Sequence, residues 1–241
     1  MSISNLNHTL ALISNITHQA INPLNGVLGT LDNLIDGTIE KNRREQRLKS
    51  ARAQLEYTVS LIRNLAYFAQ YSTEGTTDLK FKVNKTCVIP QTLIEAAQFF
   101  QEQGISANDV HINVLDRHLQ NAVHGDPELL RQVFMNIFDN FVKYGEQNST
   151  VEVKHWIQKK TGKLIVTMSG LSTPFSKDED IFAVGVRGKS AELKTSSGSG
   201  LGLHICKLII ERLFKGSIIA SYAHESRIAT FDIRIPNAFT K

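Results

Sequence analysis

The chain has few of the residues that would announce a specialised class. Of its 241 residues only two are cysteine, Cys87 and Cys206, far apart in sequence. That excludes a disulfide scaffold and the paired-thiolate spacing of a zinc site, and it fits a reducing cytoplasm. No apolar run approaches the roughly 20 residues that cross a bilayer. The N-terminus also lacks the basic-then-apolar pattern of a secretion signal. If the protein senses across a membrane, the sensing part lies outside this sequence. Excess charge of one sign is small too: the net value is +4 and no long basic run occurs. Nucleic acid as the main partner would demand a concentrated basic face, so it is not expected, nor is membrane contact. Proline is rare, with five in all, and the one at Pro23 falls inside a strongly helical pattern.

What is present divides into two periodicities. Leu6, Leu10, Ile13, Thr17, Ala20, Leu24, Val27, Leu31 and Leu34 step by fours and threes along one helix face. Asp36-Gly37-Thr38 breaks the pattern, and a second seam runs through Leu48, Ala51, Leu55, Thr58, Ile62, Leu65 and Ala69. This predicts an antiparallel helical hairpin, which alone would leave apolar surface uncovered, so a four-helix-bundle homodimer through residues 1–72 is expected. Periodicity by itself does not distinguish this from a generic coiled coil. The small polar run at 72–77 marks a domain boundary, giving domains at 1–75 and 78–241. Beyond it, strand-like runs at 110–115, 151–157, 164–168, 217–221 and 229–235 alternate with helical stretches at 90–101, 127–144 and 201–214. The expected fold is α+β overall, the second domain an α/β sandwich on a mixed sheet.

Two sets of residues carry chemistry. His18 lies beside seam position Thr17, on the shoulder of the first helix. Pro23 frees the carbonyl of Gln19, so a kink is expected beside the imidazole. In the second domain, Asp126-Pro127 is a helix start, an N-cap followed by proline at the first position. On that helix Asn136, Asn140 and Lys143 share a face, amide oxygens and a cation suited to a metal ion and phosphate oxygens. Gly198-Ser199-Gly200-Leu201-Gly202-Leu203 opens a helix, where glycines admit close backbone approach and the helix N-terminus favours anions.

The stretch around His18, with Asn22, Pro23 and Leu24, resembles the phosphoacceptor motif of two-component sensor histidine kinases. Residues 130–144 resemble that family's asparagine box nearly along their whole length. The glycine-rich stretch, preceded by a polar lid-like segment at 183–197, completes a layout similar to the Bergerat ATP-binding fold of histidine kinases, gyrase, MutL-type and Hsp90-like proteins. The resemblance covers residues 8–235. It implies ATP and Mg²⁺ as cofactors. Asn140 would hold the metal, and Asn136, Lys143, Tyr144, Gly170, Gly198, Gly200, Leu201, Gly202 and Leu203 would surround the nucleotide. It also implies autophosphorylation of His18, with transfer to an aspartate of a response-regulator receiver domain, and a water-orienting role for Asn22. Within the superfamily the ATPases place a catalytic Glu where Asn136 stands, which favours a kinase. Two positions depart from the pattern. Gln19 replaces the carboxylate that accepts the imidazole proton, and Met168 replaces the adenine-binding Asp of a degenerate first glycine box. Asp178 and Asp180, nearby in the lid approach, are not expected to compensate. A degenerate kinase acting as a phosphotransfer, phosphatase or binding module therefore stands as the alternative.

Overall fold

A computed structural model describes the backbone of residues 3–71, 85–107, 109–176, 180–186 and 200–241, and the side chains among them except at 3–13, 15, 16, 71 and 102–107. Helix α1 (Ile3–Ile35) runs 33 residues and continues through Pro23. It stops where Gly37 takes a left-handed φ of 69°. There Thr38 donates from both its amide and its hydroxyl to the Asn33 carbonyl, satisfying an acceptor that the helix end would leave orphaned. A short 3₁₀ turn (Lys41–Arg43) leads into α2 (Arg44–Tyr71), which packs back along α1. The helices approach closely at Gly26, where a Cβ would lie 2.5 Å from Gln54 Oε1 and the Gln54 side chain would have to move aside. The expected boundary at 72–77 falls outside the described residues.

Within the hairpin the expected α2 seam divides. Ala51 and Thr58 are buried, but Leu48, Leu55 and Ile62 remain exposed, each seven residues from the next. On α1 a matching row, Ile21, Leu28 and Ile35, is also exposed and was not part of the predicted seam. Apolar surface thus occupies two faces of the hairpin, one turned inward and one left uncovered.

Past the hairpin come β1 (Thr86–Val88) and α3 (Ile89–Ala107), followed by β2 (His111–Val114), β3 (Asn121–His124) and α4 (Pro127–Tyr144). Then come β4 (Thr150–Gln158), β5 (Lys163–Leu171), α5 (Gly202–Leu208), β6 (Ser217–Ala223), β7 (Ile228–Ile235) and β8 (Phe239–Thr240). The larger sheet has the order β2-β4-β5-β7-β6, with β2 parallel to β4 and the remaining pairs antiparallel. This is the mixed sheet expected. A smaller antiparallel sheet, β1-β3-β8, was not legible in the sequence, because strands of two to four residues are too short to show a period. The helix expected over 201–214 changes winding instead of continuing as α. After α5 it becomes a π turn (Ile209–Leu213), with Phe214 N–H bonding to the Ile209 carbonyl at 3.2 Å.

Helices α3 and α4 cover one face of the larger sheet. The core between them holds Phe134, Phe138 and Phe141, all but fully enclosed. On the opposite face Trp156 and Ile219 stay exposed. Helix α4 starts as predicted: Asp126 Oδ1 accepts the Glu128 N–H at 3.0 Å and Pro127 occupies the first turn. Phe138 sits edge-on to Phe100 with no exposed surface. Phe138→Ala is expected to destabilise the domain by about 3–5 kcal/mol, read as a lowered midpoint in urea unfolding without a changed fold.

Candidate nucleotide site

The inner face of α4 presents Asn136, Asp139, Asn140 and Lys143 to one cavity, because steps of three and four keep residues on one side of a helix. Gly200, Gly202 and Leu203 close another side. Gly200 has a φ of 66°, and a Cβ there would lie 2.7 Å from the backbone of Gly185, so only glycine fits. A third wall is aromatic and apolar: Phe141, Phe175 and Phe231 stack edge-on or tilted around it, with Ser172 and Thr173 as its polar groups. The fourth wall comes from the hairpin, through Gln19, Leu61 and Asn64.

Each polar group in this cavity has a definite state. Asn140 Nδ2 donates to the Asn136 carbonyl at 2.6 Å, leaving its Oδ1 as the acceptor available to a cation. Lys143 Nζ is bonded to Asp139 at 2.5 Å and to the Tyr57 hydroxyl at 3.1 Å, and it lies 5.1 Å from the Tyr57 ring centre. Burial works against the ammonium charge, but Asp139 and Tyr57 outweigh it and hold its pKa above the usual lysine value. It is therefore a permanent cation across the physiological range. The Tyr57 hydroxyl is pushed up by burial and by the Asp139 carboxylate, so it remains protonated and able to bond.

The structure brings together most of the residues singled out in the sequence. Asn136, Asn140, Lys143, Tyr144, Gly200, Gly202 and Leu203 all border the cavity, and so does Gln19. His18 and Asn22 are exposed on the same stretch of α1 and do not. Leu201 is fully enclosed against Leu65 and Phe68 of the hairpin. Gly170, in β5, would bring a Cβ to 3.4 Å from the Phe141 ring and 3.1 Å from Val151, so it keeps the sheet close to α4. Gly198, Asp178 and most of the lid-like segment lie outside the described residues.

Residues 125–238 match the family of histidine kinase-, DNA gyrase B- and HSP90-like ATPases. Sensor protein KdpD of Clostridium acetobutylicum is 26% identical over 228 residues, which is 93% of this chain and 24% of that protein. Over residues 125–238 the chain is similar to the ATPase domain that histidine kinases share with DNA gyrase B and HSP90. The chain thus spans about a quarter of the length of that curated relative. Among solved structures, the histidine kinase AdeS of Acinetobacter baumannii has the same fold, with a TM-score of 0.56 at 18% identity over 91% of this chain and 97% of that one. The histidine kinase ThkA in complex with the response regulator protein TrrA gives 0.55 at 18% identity, over 97% of this chain and 63% of that one.

Two features distinguish this site. Met168 is not a wall of the cavity: it is fully buried in β5, paired across the sheet with Phe231 and Val153. An aspartate placed there would be a carboxylate in an apolar enclosure, a costly change rather than a simple restoration. The second feature is a set of polar residues the sequence reading passed over: Tyr57, Ser60 and Asn64 on α2, and Gln132 on α4. On α2 their only sequence signal is a polar residue on an amphipathic helix, where a surface location is the default reading, and Gln132 lies within the asparagine-box stretch without a role of its own there. Asn64 and Gln132 are buried, and they meet Asn136. At the start of α5 the His204 Nδ1–H donates to the Phe182 carbonyl at 2.9 Å, and its ring meets Phe68 of the hairpin edge-on at 6.0 Å. Burial lowers the His204 pKa, which favours the neutral ring in this contact.

Proposed function

We propose that this chain is the kinase core of a two-component sensor, taking a phosphoryl group from ATP onto His18 and passing it to an aspartate of a response-regulator receiver domain. One observation carries the reading: the residue next to His18, Gln19, lines the same cavity as Asn136, Asn140 and Lys143 of the ATPase part. The exposed imidazole is the nucleophile, and as a neutral ring it attacks phosphorus through a nitrogen lone pair. The Lys143 ammonium supplies fixed positive charge for phosphate oxygens. The free Oδ1 of Asn140 fits a hard divalent cation, which takes oxygen ligands and neutralises phosphate charge. The aromatic wall suits a purine, which stacks on such surfaces. Asn22, one helical turn from His18 and exposed, is placed to orient a water toward a phosphorylated partner. The likeness to ThkA, solved with a response regulator, supports the receiver domain as partner. No described helix is long and apolar enough to cross a membrane. A cytoplasmic place is inferred from the ATP and receiver-domain chemistry.

The test is a calorimetric titration with Mg²⁺ and ATP. Wild type is expected to bind, and Asn140→Asp to lose Mg²⁺-dependent binding by at least about tenfold, since a new carboxylate repels phosphate where a neutral oxygen served. If Asn140→Asp binds Mg²⁺-ATP as wild type does, the metal assignment is wrong. If neither binds, and removing the hairpin contacts to Asn136 and Lys143 does not bring binding back, the kinase reading fails.

A further inference from the structure

Helices α2 and α4 run past one another in opposite directions, joined by polar rungs. Tyr57 meets Lys143 at 3.1 Å, and seven residues along each helix Asn64 meets Asn136. The Asn64–Asn136 rung is reciprocal, with each amide donating to the other's oxygen at 2.9 and 3.0 Å. Gln132 Nε2 donates one proton to the Ser60 hydroxyl at 2.9 Å and shares the other between both oxygens at 3.2 Å, and the remaining Asn136 proton goes to the Gly202 carbonyl at 3.1 Å. A carboxamide has two N–H donors and two acceptor lone pairs. Every one of these on Asn136 is therefore taken, and the groups that take them include a hairpin residue. Lys143 is tied the same way by Tyr57, which both accepts from its ammonium and sets its ring beside it.

We propose that α2 is a latch, with Asn64 and Tyr57 occupying Asn136 and Lys143 in place of the nucleotide. Docking of the ATPase domain on its own hairpin and use of those two groups by nucleotide then exclude each other. This rests on the nucleotide reading of the cavity and adds its regulation. Docking is completed by Leu201, whose whole side chain is covered by Leu65 and Phe68. Leu201 sits between Gly200 and Gly202, so the same motion that frees Asn136 also frees the glycine-rich turn. The coupling is reciprocal by thermodynamic necessity: what weakens docking tightens nucleotide binding, and nucleotide drives undocking. If only the undocked state binds fully, apparent affinity falls by the undocked fraction. A hairpin distorted by an upstream signal would thereby set nucleotide occupancy.

The experiment is a titration of the full chain with Mg²⁺ and a non-hydrolysable ATP analogue, in wild type, Tyr57→Phe, Asn64→Ala and the double variant. Tyr57→Phe removes a single hydroxyl and leaves the ring, so it keeps the helix packing; circular dichroism melts check all four. Asn64→Ala is expected to bind about tenfold more tightly, which is 1.4 kcal/mol. Tyr57→Phe should gain a few-fold and the double variant more than either. Binding absent in wild type and present in the double variant is the extreme form of the same result. Equal or weaker binding in Tyr57→Phe and in the double variant overturns the latch while leaving the kinase reading intact. No binding in any of the four overturns both. A second readout is independent of affinity: spin labels at Gln46→Cys and Glu225→Cys, the native Cys87 and Cys206 being buried. Saturating nucleotide should lengthen the distance between labels, and an unchanged distribution rejects the latch.

Discussion

His18→Ala will leave no acid-labile phosphate on the protein after incubation with Mg²⁺ and radiolabelled ATP, and Gln19→Glu will speed its formation. The two expectations have one physical root. An attacking imidazole gains reactivity when its other nitrogen gives a proton to a base, and positioned general bases contribute about 10²–10⁴-fold in rate. Gln19 can hydrogen-bond the ring but cannot take a proton. The other carboxylate of the cavity among the described residues is Asp139, and it is held by the Lys143 ammonium. Acting as a base would cost it that pairing. Gln19 faces this cavity when the hairpin and the ATPase part are docked, so a carboxylate there comes beside the reaction when the two parts meet again around bound nucleotide. The expected gain in initial rate is about 10²-fold, the lower end of that range, since some of the new charge is spent on Lys143. Label that survives His18→Ala would reject the phosphoacceptor. An unchanged rate in Gln19→Glu, with nucleotide still bound, would place the base elsewhere.

How far the sequence reveals this molecule depends on whether a residue's role is local or relational. The start of α4 was legible because an N-cap and a first-turn proline are local chemistry, and the Asn136, Asn140, Lys143 face was legible because helix periodicity is local too. The burial of Met168 was also available in principle. Leu164, Val166 and Met168 alternate inward along β5, opposite Ile235, Ile233 and Phe231 of β7, and that period of two marks them as one enclosed face. Reading position 168 as a binding residue set that pattern aside. Asn64 and Gln132 were not legible. Burying an amide is unfavourable unless it finds partners, and those partners lie on another helix some 70 residues away. Nothing near Asn64 in sequence announces them. The hairpin sits between these cases: heptads predicted two helices correctly, but one seam was assigned where the structure has two apolar faces.

That second face leads to the last prediction. Ile21, Leu28 and Ile35 on α1, and Leu48, Leu55 and Ile62 on α2, form two heptad-spaced rows left exposed by the hairpin's own packing. We infer that a second copy covers them, since a twofold pairing of identical hairpins sets apolar rows against apolar rows and gives the four-helix bundle. Leu28→Asp together with Leu55→Asp should then yield monomers. Leu28 is 57% exposed and Leu55 47% in one chain, so about half of each remains to be buried on pairing. Full burial of a leucine is worth about 1.5–3 kcal/mol. With two such residues per chain counted twice by symmetry, the loss is about 3–6 kcal/mol per dimer, before any cost of burying the new carboxylates. That is a factor of about 10²–10⁴ in the dissociation constant, enough to carry a micromolar dimer to monomer at ordinary working concentrations. Because both sites are on the surface of the single hairpin, helicity by circular dichroism should be retained. Leu61→Asp is the contrasting case: Leu61 is 6% exposed and lies where the hairpin meets the cavity, so that change should lower stability while leaving the dimer mass unchanged. A double variant that keeps the dimer mass by light scattering would show that the uncovered rows serve something other than self-association.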